Sequence, residues 1–292
     1  MTSQLSMNIV NSENMSVEAG YSIFNLKIIT KRLLDIFEQE IKRPNSIIIS
    51  INKNAITKMA MFISGAIERS ASIGIAGETA SGKSTITLEM ITSIERFAKE
   101  FCIDNAITRI NSDDYYYDRS DMVKKAGSFA NFANNYDLDV PDAIELSLMN
   151  EHILQLLNGN SVMLPKYDMS GTAKRFDNQI LVNPSKVIIS EGLFNLNEKV
   201  KNAFDFKIYV DISKEVQEKR FFLRANERNL GASAQNILDN ASQKAQIYIK
   251  PCKETADIVL SGEADIEKYK EFLNKILNLI EEIHLTNIPC LC

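Results

Sequence analysis

The short stretch GETASGKS, residues 77–84, constrains the fold of this chain more than any other feature. It matches the pattern G-x-x-x-x-G-K-[ST] without exception. The apolar run SIGIAG leads into it, and the run TITLEMITSIERFAKE, which suits a helix, follows it. A strand, a glycine-rich loop and a helix in this order predict a cradle in which backbone N–H groups and a helix N-terminus face phosphate oxygens.

Side chains of this loop extend the prediction from a phosphate site to a nucleoside triphosphate site. Lys83 can reach the β- and γ-phosphates, and the Ser84 hydroxyl is placed to bind Mg²⁺. The strand KVIISEG ends in Glu191, where such folds place an acidic group near the metal. We therefore predict ATP and Mg²⁺ as ligands. The residues expected to contact the donor nucleotide are Gly77, Glu78, Thr79, Ala80, Ser81, Gly82, Lys83, Ser84 and Thr85, with Arg220 and Arg228 from a later helix.

From residue 72 onward, short β-branched runs alternate with longer charged helical patterns. This alternation predicts an α/β three-layer domain with a mostly parallel sheet. The predicted strands are 72–77, 106–114, 186–192, 206–213 and 256–262, and the predicted closing helix is 264–284.

The first 70 residues do not show this alternation of strand and helix patterns, and they contain no motif with an evident chemical role. We expect a helix over 21–42, a break at 43–45, a strand over 46–51 and a helix over 52–70. Asn52 or Asn54 would begin that second helix. The expected organisation is an N-terminal extension (1–70), a phosphate-loop domain (71–285) and a tail (286–292).

Composition narrows the class of protein. With 292 residues, 45% of them apolar, the chain can bury a substantial core. A net charge of −5 argues against non-specific binding to nucleic acid or to anionic membranes. We find no apolar run long enough to span a bilayer and no secretion signal in the first twenty residues, and four scattered cysteines fit a reducing compartment. We therefore expect a cytoplasmic protein.

The stretch INSDDYYYDR, residues 110–119, supplies a candidate acceptor site. It falls at the carboxyl end of the predicted strand AITRIN, where ligands sit in doubly wound sheets. An aspartate there can take the proton of an attacking hydroxyl, and neighbouring tyrosines can wall a small pocket.

These motifs together resemble the uridine kinase and phosphoribulokinase family of P-loop kinases. SDDYYYD resembles its D-x-[FY]-Y-x-D, DVPDA its DHPDA, LPKYD its P-x-Y-D and SEGLF its FEGI, and YIKPCKETADIVL resembles a segment near the end of bacterial uridine kinases. The resemblance implies a kinase that phosphorylates a small molecule. It assigns Asp113 as the catalytic base, Tyr116, Asp139 and Tyr167 to the acceptor, and Ser84, Glu191 and Asp113 to magnesium.

A later helix resembles the lid of that family. Arg220, Arg224 and Arg228 are four residues apart and so share one helix face, from which they can neutralise phosphoryl charge. Arg224 joins Asp113 and Lys83 as a predicted catalytic residue. Two positions depart from the family pattern: Thr172 replaces a base-recognising histidine, and Phe221 replaces one of two paired arginines.

Three interpretations stay open at this point. The first is an ATP-dependent kinase acting on the 5′-hydroxyl of uridine or cytidine. The second is a kinase for a sugar phosphate or another metabolite, and the third is a nucleotide-binding regulatory module without acceptor chemistry. Whether the chain forms a homo-oligomer is left open too.

Overall fold

A computed structural model describes residues 17–133, 135–227, 231 and 234–286. The strands are β1 (Ile48–Ile51), β2 (Ala71–Gly77), β3 (Ile107–Asn111), β4 (Val162–Tyr167), β5 (Arg175–Val182), β6 (Val187–Glu191), β7 (Phe206–Asp211) and β8 (Ile258–Ser261). The helices are α1 (Val17–Ile41), α2 (Lys53–Ile63), α3 (Lys83–Glu100), α4 (Ser120–Ala126), α5 (Phe129–Ala133), α6 (Leu146–Leu157), α7 (Lys214–Glu227), α8 (Ala234–Tyr248) and α9 (Ile266–Thr286).

Six strands form the central sheet in the order β1-β8-β7-β2-β6-β3. All neighbouring pairs are parallel except β1 with β8, which is antiparallel. Strand β2 lies in the interior, with Ile75 opposite Glu191 of β6 and Ile208 of β7. Because the parallel strands point the same way, the residues that follow β2, β3, β6 and β7 meet at one edge of the sheet.

The sheet separates two apolar cores. On one face, Ile75 and Ile189 pack with apolar side chains of α1, α2, α3 and α9. On the other face, Ala76 and Ile188 pack with α6 and α8. Adjacent strand residues alternate between the two cores, as expected for strands covered on both sides. The predicted α/β three-layer fold with a mostly parallel sheet is confirmed.

Helix and strand boundaries differ from the predicted ones in a few places. The first helix begins at Val17 rather than at residue 21, and the second ends at Ile63 rather than at residue 70. Asn52 is the N-cap of α2, and its side chain accepts a hydrogen bond from the backbone N–H of Asn54. The antiparallel hairpin of β4 and β5 was not predicted.

The first 70 residues share the sheet and one core with the rest of the chain. Strand β1 pairs with β8, with Ile48 opposite Leu260 and Ile51 opposite Ile258. Whether the chain divides into folding units at residue 70 stays a prediction, and residues 287–292 of the expected tail lie outside the described residues. None of the helices in the described segments combines the length and apolar character that a membrane span requires.

Candidate active site

The glycine-rich loop connects β2 to α3. Gly77 ends β2 with φ 154°, and a Cβ there would lie 2.5 Å from the carbonyl oxygen of Val210. Only glycine fits so close to backbone. Gly82 is the N-cap of α3, so the first turn of that helix, with Lys83, Ser84 and Thr85, opens onto the loop. The strand, loop and helix have the arrangement predicted for a phosphate cradle.

Lys83, the first residue of α3, lies at the end of the loop. Its Nζ donates a hydrogen bond to the carbonyl oxygen of Glu78 at 2.8 Å. Burial lowers the pKa of Lys83 to about 8; the charges of Asp113 and Glu191 oppose this shift, and that of Arg224 adds to it. The structure therefore brings together the three residues predicted to be catalytic, with Glu191 beside them.

Asp113 lies in a short 3-10 helix, Ser112–Tyr115, that directly follows β3. Its backbone N–H donates to the side-chain oxygen of Asn111 at 3.2 Å, which fixes the start of this turn. Burial raises the pKa of Asp113, and Lys83 is the strongest opposing charge. A carboxylate with a raised pKa beside the phosphate loop suits a general base.

Glu191 is buried at the end of β6 and forms an ion pair with Arg109 of β3. The charge of Arg109 also opposes the rise that burial causes in the pKa of Asp113. Sequence reasoning missed Arg109, although a charged residue inside the apolar run AITRIN was a usable signal.

The oxygen ligands available near the loop fit Mg²⁺. The Ser84 hydroxyl is exposed at the first turn of α3, and the carboxylates of Asp113 and Glu191 lie near Lys83. Within the described residues no group of three or more His, Cys, Asp or Glu side chains could hold a metal alone. A magnesium ion held by one or two carboxylates takes its other ligands from phosphates and water, so this set suits a metal that arrives with a nucleotide.

A cavity of about 510 Å³, called the donor cavity below, lies beside the loop. Its lining includes Lys83 and Ser84 on one side and Arg220 and Arg224 of α7 on the other. Arg220 also donates to the carbonyl oxygen of Gly262 at 2.7 Å. The predicted lid arginines thus face the phosphate loop, whereas Arg228 lies outside the described residues.

Helix α7 is attached to the glycine-rich loop by contacts that the sequence did not reveal. The side-chain amide of Gln217 donates to the Glu78 carboxylate at 3.2 Å and to the Thr79 carbonyl at 3.0 Å. Phe221, which replaces an expected arginine, is buried in an apolar cluster with Ala80. Helix α7 therefore rests on the loop through two hydrogen bonds of Gln217 and through the apolar packing of Phe221.

The predicted acceptor residues form a second group near Asp113, called the acceptor pocket below. The rings of Tyr116 and Tyr167 are both buried, with centroids 5.3 Å apart. Burial raises the pKa of Tyr116 far above its usual value, and the charges of Asp113 and Asp139 raise it further. Tyr116 is therefore close to both Asp113 and Asp139, the residues predicted as base and as sugar ligand.

Two charged residues next to the acceptor pocket were not predicted. Lys244 of α8 forms a 2.5 Å ion pair with Asp137. The pKa of Asp139 is raised by burial first and by Asp137 next, while Lys244 opposes the shift.

The Thr172 hydroxyl, at the position of the family histidine, is exposed and donates to Asp168 at 2.6 Å.

Comparisons with known proteins agree with this geometry. The sequence model of the Phosphoribulokinase / Uridine kinase family matches residues 72–266. A uridine kinase from Halobacterium salinarum is 31% identical over 218 residues, covering 72% of this chain and 84% of that protein. A uridine kinase from Lactobacillus helveticus is 30% identical over 212 residues, covering 69% of this chain and 92% of that protein. The segment matched by the family contains every predicted site residue.

Proposed function

The chain belongs to the phosphoribulokinase/uridine kinase family, and from that premise we propose that it phosphorylates the 5′-hydroxyl of uridine or cytidine. Family membership makes the chain a phosphotransferase that uses ATP and acts on a hydroxyl group of a small molecule. The identity of that molecule, the role of each site residue, the magnesium ion and the cytoplasmic setting are parts of the proposal.

The proposed reaction is a direct transfer between the donor cavity and the acceptor pocket. Asp113 takes the proton of the acceptor hydroxyl, whose oxygen forms a bond to the γ-phosphorus while the bond between that phosphorus and the β,γ-bridging oxygen breaks and ADP leaves. Lys83 and Arg224 neutralise charge on the transferred phosphoryl oxygens. Mg²⁺, which Ser84, Glu191 and Asp113 would hold, supplies further neutralisation of the β- and γ-phosphates.

The charge of the acceptor pocket supports an uncharged acceptor. Asp113 and Asp139 both contribute negative charge around Tyr116, and Asp137 lies next to Asp139. The cations that act on Asp113 are Lys83 and Arg109, which belong to the phosphate side of the site, and Lys244, which acts on Asp139, is already paired with Asp137. A phosphorylated acceptor would bring further negative charge next to these carboxylates, which like-charge repulsion disfavours.

The side chains of the acceptor pocket support a nucleoside. A carboxylate such as that of Asp139 can accept hydrogen bonds from two neighbouring ribose hydroxyls. The closely packed rings of Tyr116 and Tyr167 offer an aromatic wall against which a flat base can pack.

One observation favours a second candidate, a sugar phosphate or another metabolite that has no base. Thr172 has neither the reach nor the ring of a histidine, and its hydroxyl is held by Asp168. Base recognition would then depend on Tyr167. An acceptor without a base would need no such contact.

An ATP-consumption screen across uridine, cytidine, purine nucleosides and pentose phosphates tests the proposal. We expect uridine or cytidine to stimulate ATP use, with a nucleoside 5′-monophosphate as the product. The Lys83→Ala variant is the control, because loss of that charge should abolish transfer with every acceptor. Stimulation by a pentose phosphate alone would favour the second candidate, and slow ATP turnover that no acceptor changes would favour a regulatory module.

A further inference from the structure

We propose that residues 40–51 of the N-terminal extension position one wall of the donor cavity, with Glu40 as the central positioning residue. The inference rests on the proposed function in one respect, namely that the donor cavity holds the nucleotide. It assigns a role to a segment that lies outside the part of the chain matched by the family.

The wall in question consists of the loop that follows β8 and the first turn of α9. Gly262, Ala264, Ile266 and Tyr269 all line the donor cavity. Gly262 lies so close to the glycine-rich loop that a Cβ would be 2.0 Å from the carbonyl oxygen of Ser81. The wall therefore touches the loop directly, and a shift of Gly262 would disturb the phosphate cradle as well as the space above it.

The extension holds this wall through Ser261, the last residue of β8. The backbone N–H of Ser261 donates to the carbonyl oxygen of Ile47 at 2.8 Å. Its own carbonyl oxygen accepts a hydrogen bond from the Tyr269 hydroxyl. Ser261 thus links residue 47 to a side chain that lines the donor cavity.

Glu40 fixes the position of Ile47. Its carboxylate is fully buried and accepts hydrogen bonds from the backbone N–H of Ile47 at 3.3 Å and from Arg43 at 3.0 Å. The guanidinium group of Arg43 also donates a hydrogen bond to the Glu271 carboxylate of α9 at 3.3 Å. Glu40 therefore connects the end of α1, residues 43–47 and the helix that carries Tyr269.

A role in stabilising α1 does not explain why a buried glutamate is found at position 40. It lies in the last turn of α1, where the helix dipole disfavours an acidic side chain. Burying a carboxylate there also costs free energy unless its hydrogen-bond partners are kept. Those partners are in the segment that leads to β1, so the buried charge orders that segment.

Apolar packing reinforces the same connection. The rings of Phe37 and Phe272 meet edge to face with centroids 5.1 Å apart. Phe37, Ile47 and Tyr269 belong to one buried cluster. The ring of Tyr269 is therefore held by residues of the extension as well as by its own helix.

Loss of the Glu40 carboxylate should weaken donor binding and leave the acceptor pocket unchanged. The acceptor residues Tyr116 and Tyr167 pack in the core on the opposite face of the sheet from Glu40's neighbours Phe37 and Ile47. A change in the position of Ile47 caused by loss of the Glu40 carboxylate consequently affects Ser261 and Gly262 more directly than it affects either tyrosine.

The test compares Glu40→Gln with Glu38→Gln in the full-length chain. Glu38 is an exposed acid on the same helix that pairs with Lys42, so it controls for the loss of one charge. The dissociation constant for ADP is measured by calorimetry, and KM is measured for ATP and for the acceptor. We expect Glu40→Gln to raise the ADP dissociation constant and the ATP KM roughly tenfold, the difference between a hydrogen bond to a charged acceptor and one to a neutral amide. The acceptor KM should stay within about twofold, and Glu38→Gln should match the wild type.

A purely structural role for Glu40 would give a different result. Glu40→Gln would then melt at a lower temperature, but the folded protein would bind ADP with wild-type affinity, and that outcome would overturn the inference. If Glu40→Gln does not fold, Arg43→Met removes one partner of Glu40 from a half-exposed position and should raise the ADP dissociation constant in the same direction.

The two proposals fail in distinguishable ways. If the wild type binds no ADP, the donor site itself is misassigned. If the wild type binds ADP, Lys83→Ala loses that binding and the Glu40 and Arg43 variants keep it, only the role of the extension is wrong.

Discussion

Asp113 and Lys83 stand at the end of β3 and the start of α3, and each influences the protonation of the other. Burial disfavours the charge of both groups, while their mutual attraction favours it. The proposed base and the proposed phosphate-binding cation thereby lie in one place, together with Glu191 and Arg224. Because Lys83 begins a helix that follows β2 and Asp113 lies in a short 3-10 helix that follows β3, both groups are held next to the sheet, and we expect single substitutions here to affect chemistry more than folding.

Asp113→Asn should retain nucleotide binding and lose turnover by about 10²–10⁴-fold, the usual contribution of a general base. The amide keeps the shape of the carboxylate but cannot take the hydroxyl proton. Product formation and ADP binding are the measurements, with the exposed Asp121→Asn as a control that keeps wild-type turnover. Near-normal turnover of Asp113→Asn would remove this residue from the role of base.

His152 should make the protein lose stability as the pH falls. Burial lowers the pKa of His152, which packs against Tyr115 with Nδ1 2.9 Å from the hydroxyl. In the unfolded chain His152 has its ordinary pKa of about 6.5, so as the pH falls through this value the unfolded state takes up a proton before the folded state does. The free energy of unfolding therefore decreases as the pH falls. Urea titrations between pH 7 and pH 5 should show this loss in the wild type and in His284→Gln, an exposed control, but less of it in His152→Gln. Parallel pH profiles for all three proteins would contradict the prediction.

At the scale of elements, local pattern predicted the sheet strands and the phosphate loop but not the hairpin. The strand before the loop consists of isoleucines and small residues and is largely buried on both faces, so its pattern is local and strong. Strand β5, RFDNQILV, is exposed along most of its length, so its sequence shows no alternation between core and solvent. Its pairing with β4 depends on a partner that periodicity does not reveal.

The same reasoning separates the site residues that could be predicted from those that could not. Asp113 and Lys83 occur within motifs whose spacing carries their meaning. Gln217 and Glu78 are 139 positions apart, and Glu40 acts through Ile47 on a loop more than 200 residues away. Contacts of this kind become visible only once the sheet brings distant segments together.

Gln217→Leu should test whether α7 depends on its polar contact with the glycine-rich loop. It removes both hydrogen bonds and leaves the buried Glu78 carboxylate with Lys250, 3.5 Å away. We expect a loss of about 1–3 kcal/mol in the free energy of unfolding, the cost of an unsatisfied buried group. Chemical denaturation measures it, with Glu218→Ala on the exposed side of α7 as a control within about 0.5 kcal/mol.

The double variant Glu78→Leu/Gln217→Leu sharpens this test. The second replacement removes the buried carboxylate that Gln217→Leu leaves without its amide partner, so the double variant should be more stable than Gln217→Leu alone, even though the Thr79 carbonyl and Lys250 lose these partners in it. Strictly additive losses in the double variant would show that the two side chains do not act on each other.

At the scale of the whole molecule, the extension and the family segment form one sheet and share one core. Strand β1 covers the edge of β8, and α1 and α2 cover the face on which α3 and α9 lie. The donor cavity is therefore bounded by residues that the extension supports, while the acceptor pocket packs against the opposite core. A truncation at residue 70 is a test of this arrangement.

A chain of residues 71–292 should fail to fold as a stable monomer. It lacks the side chains of Leu33, Phe37, Ile47 and Ile48, which are buried in the full chain and each contribute about 1.5–3 kcal/mol. Their combined loss is comparable to the 5–15 kcal/mol stability of a typical domain, and the exposed edge of β8 favours aggregation. Size-exclusion chromatography and thermal melting measure the outcome, and co-expression with residues 17–70 as a separate chain should restore a soluble complex. A truncated chain that elutes as a monomer and melts cooperatively within a few degrees of the full chain would show that the family segment folds without the extension.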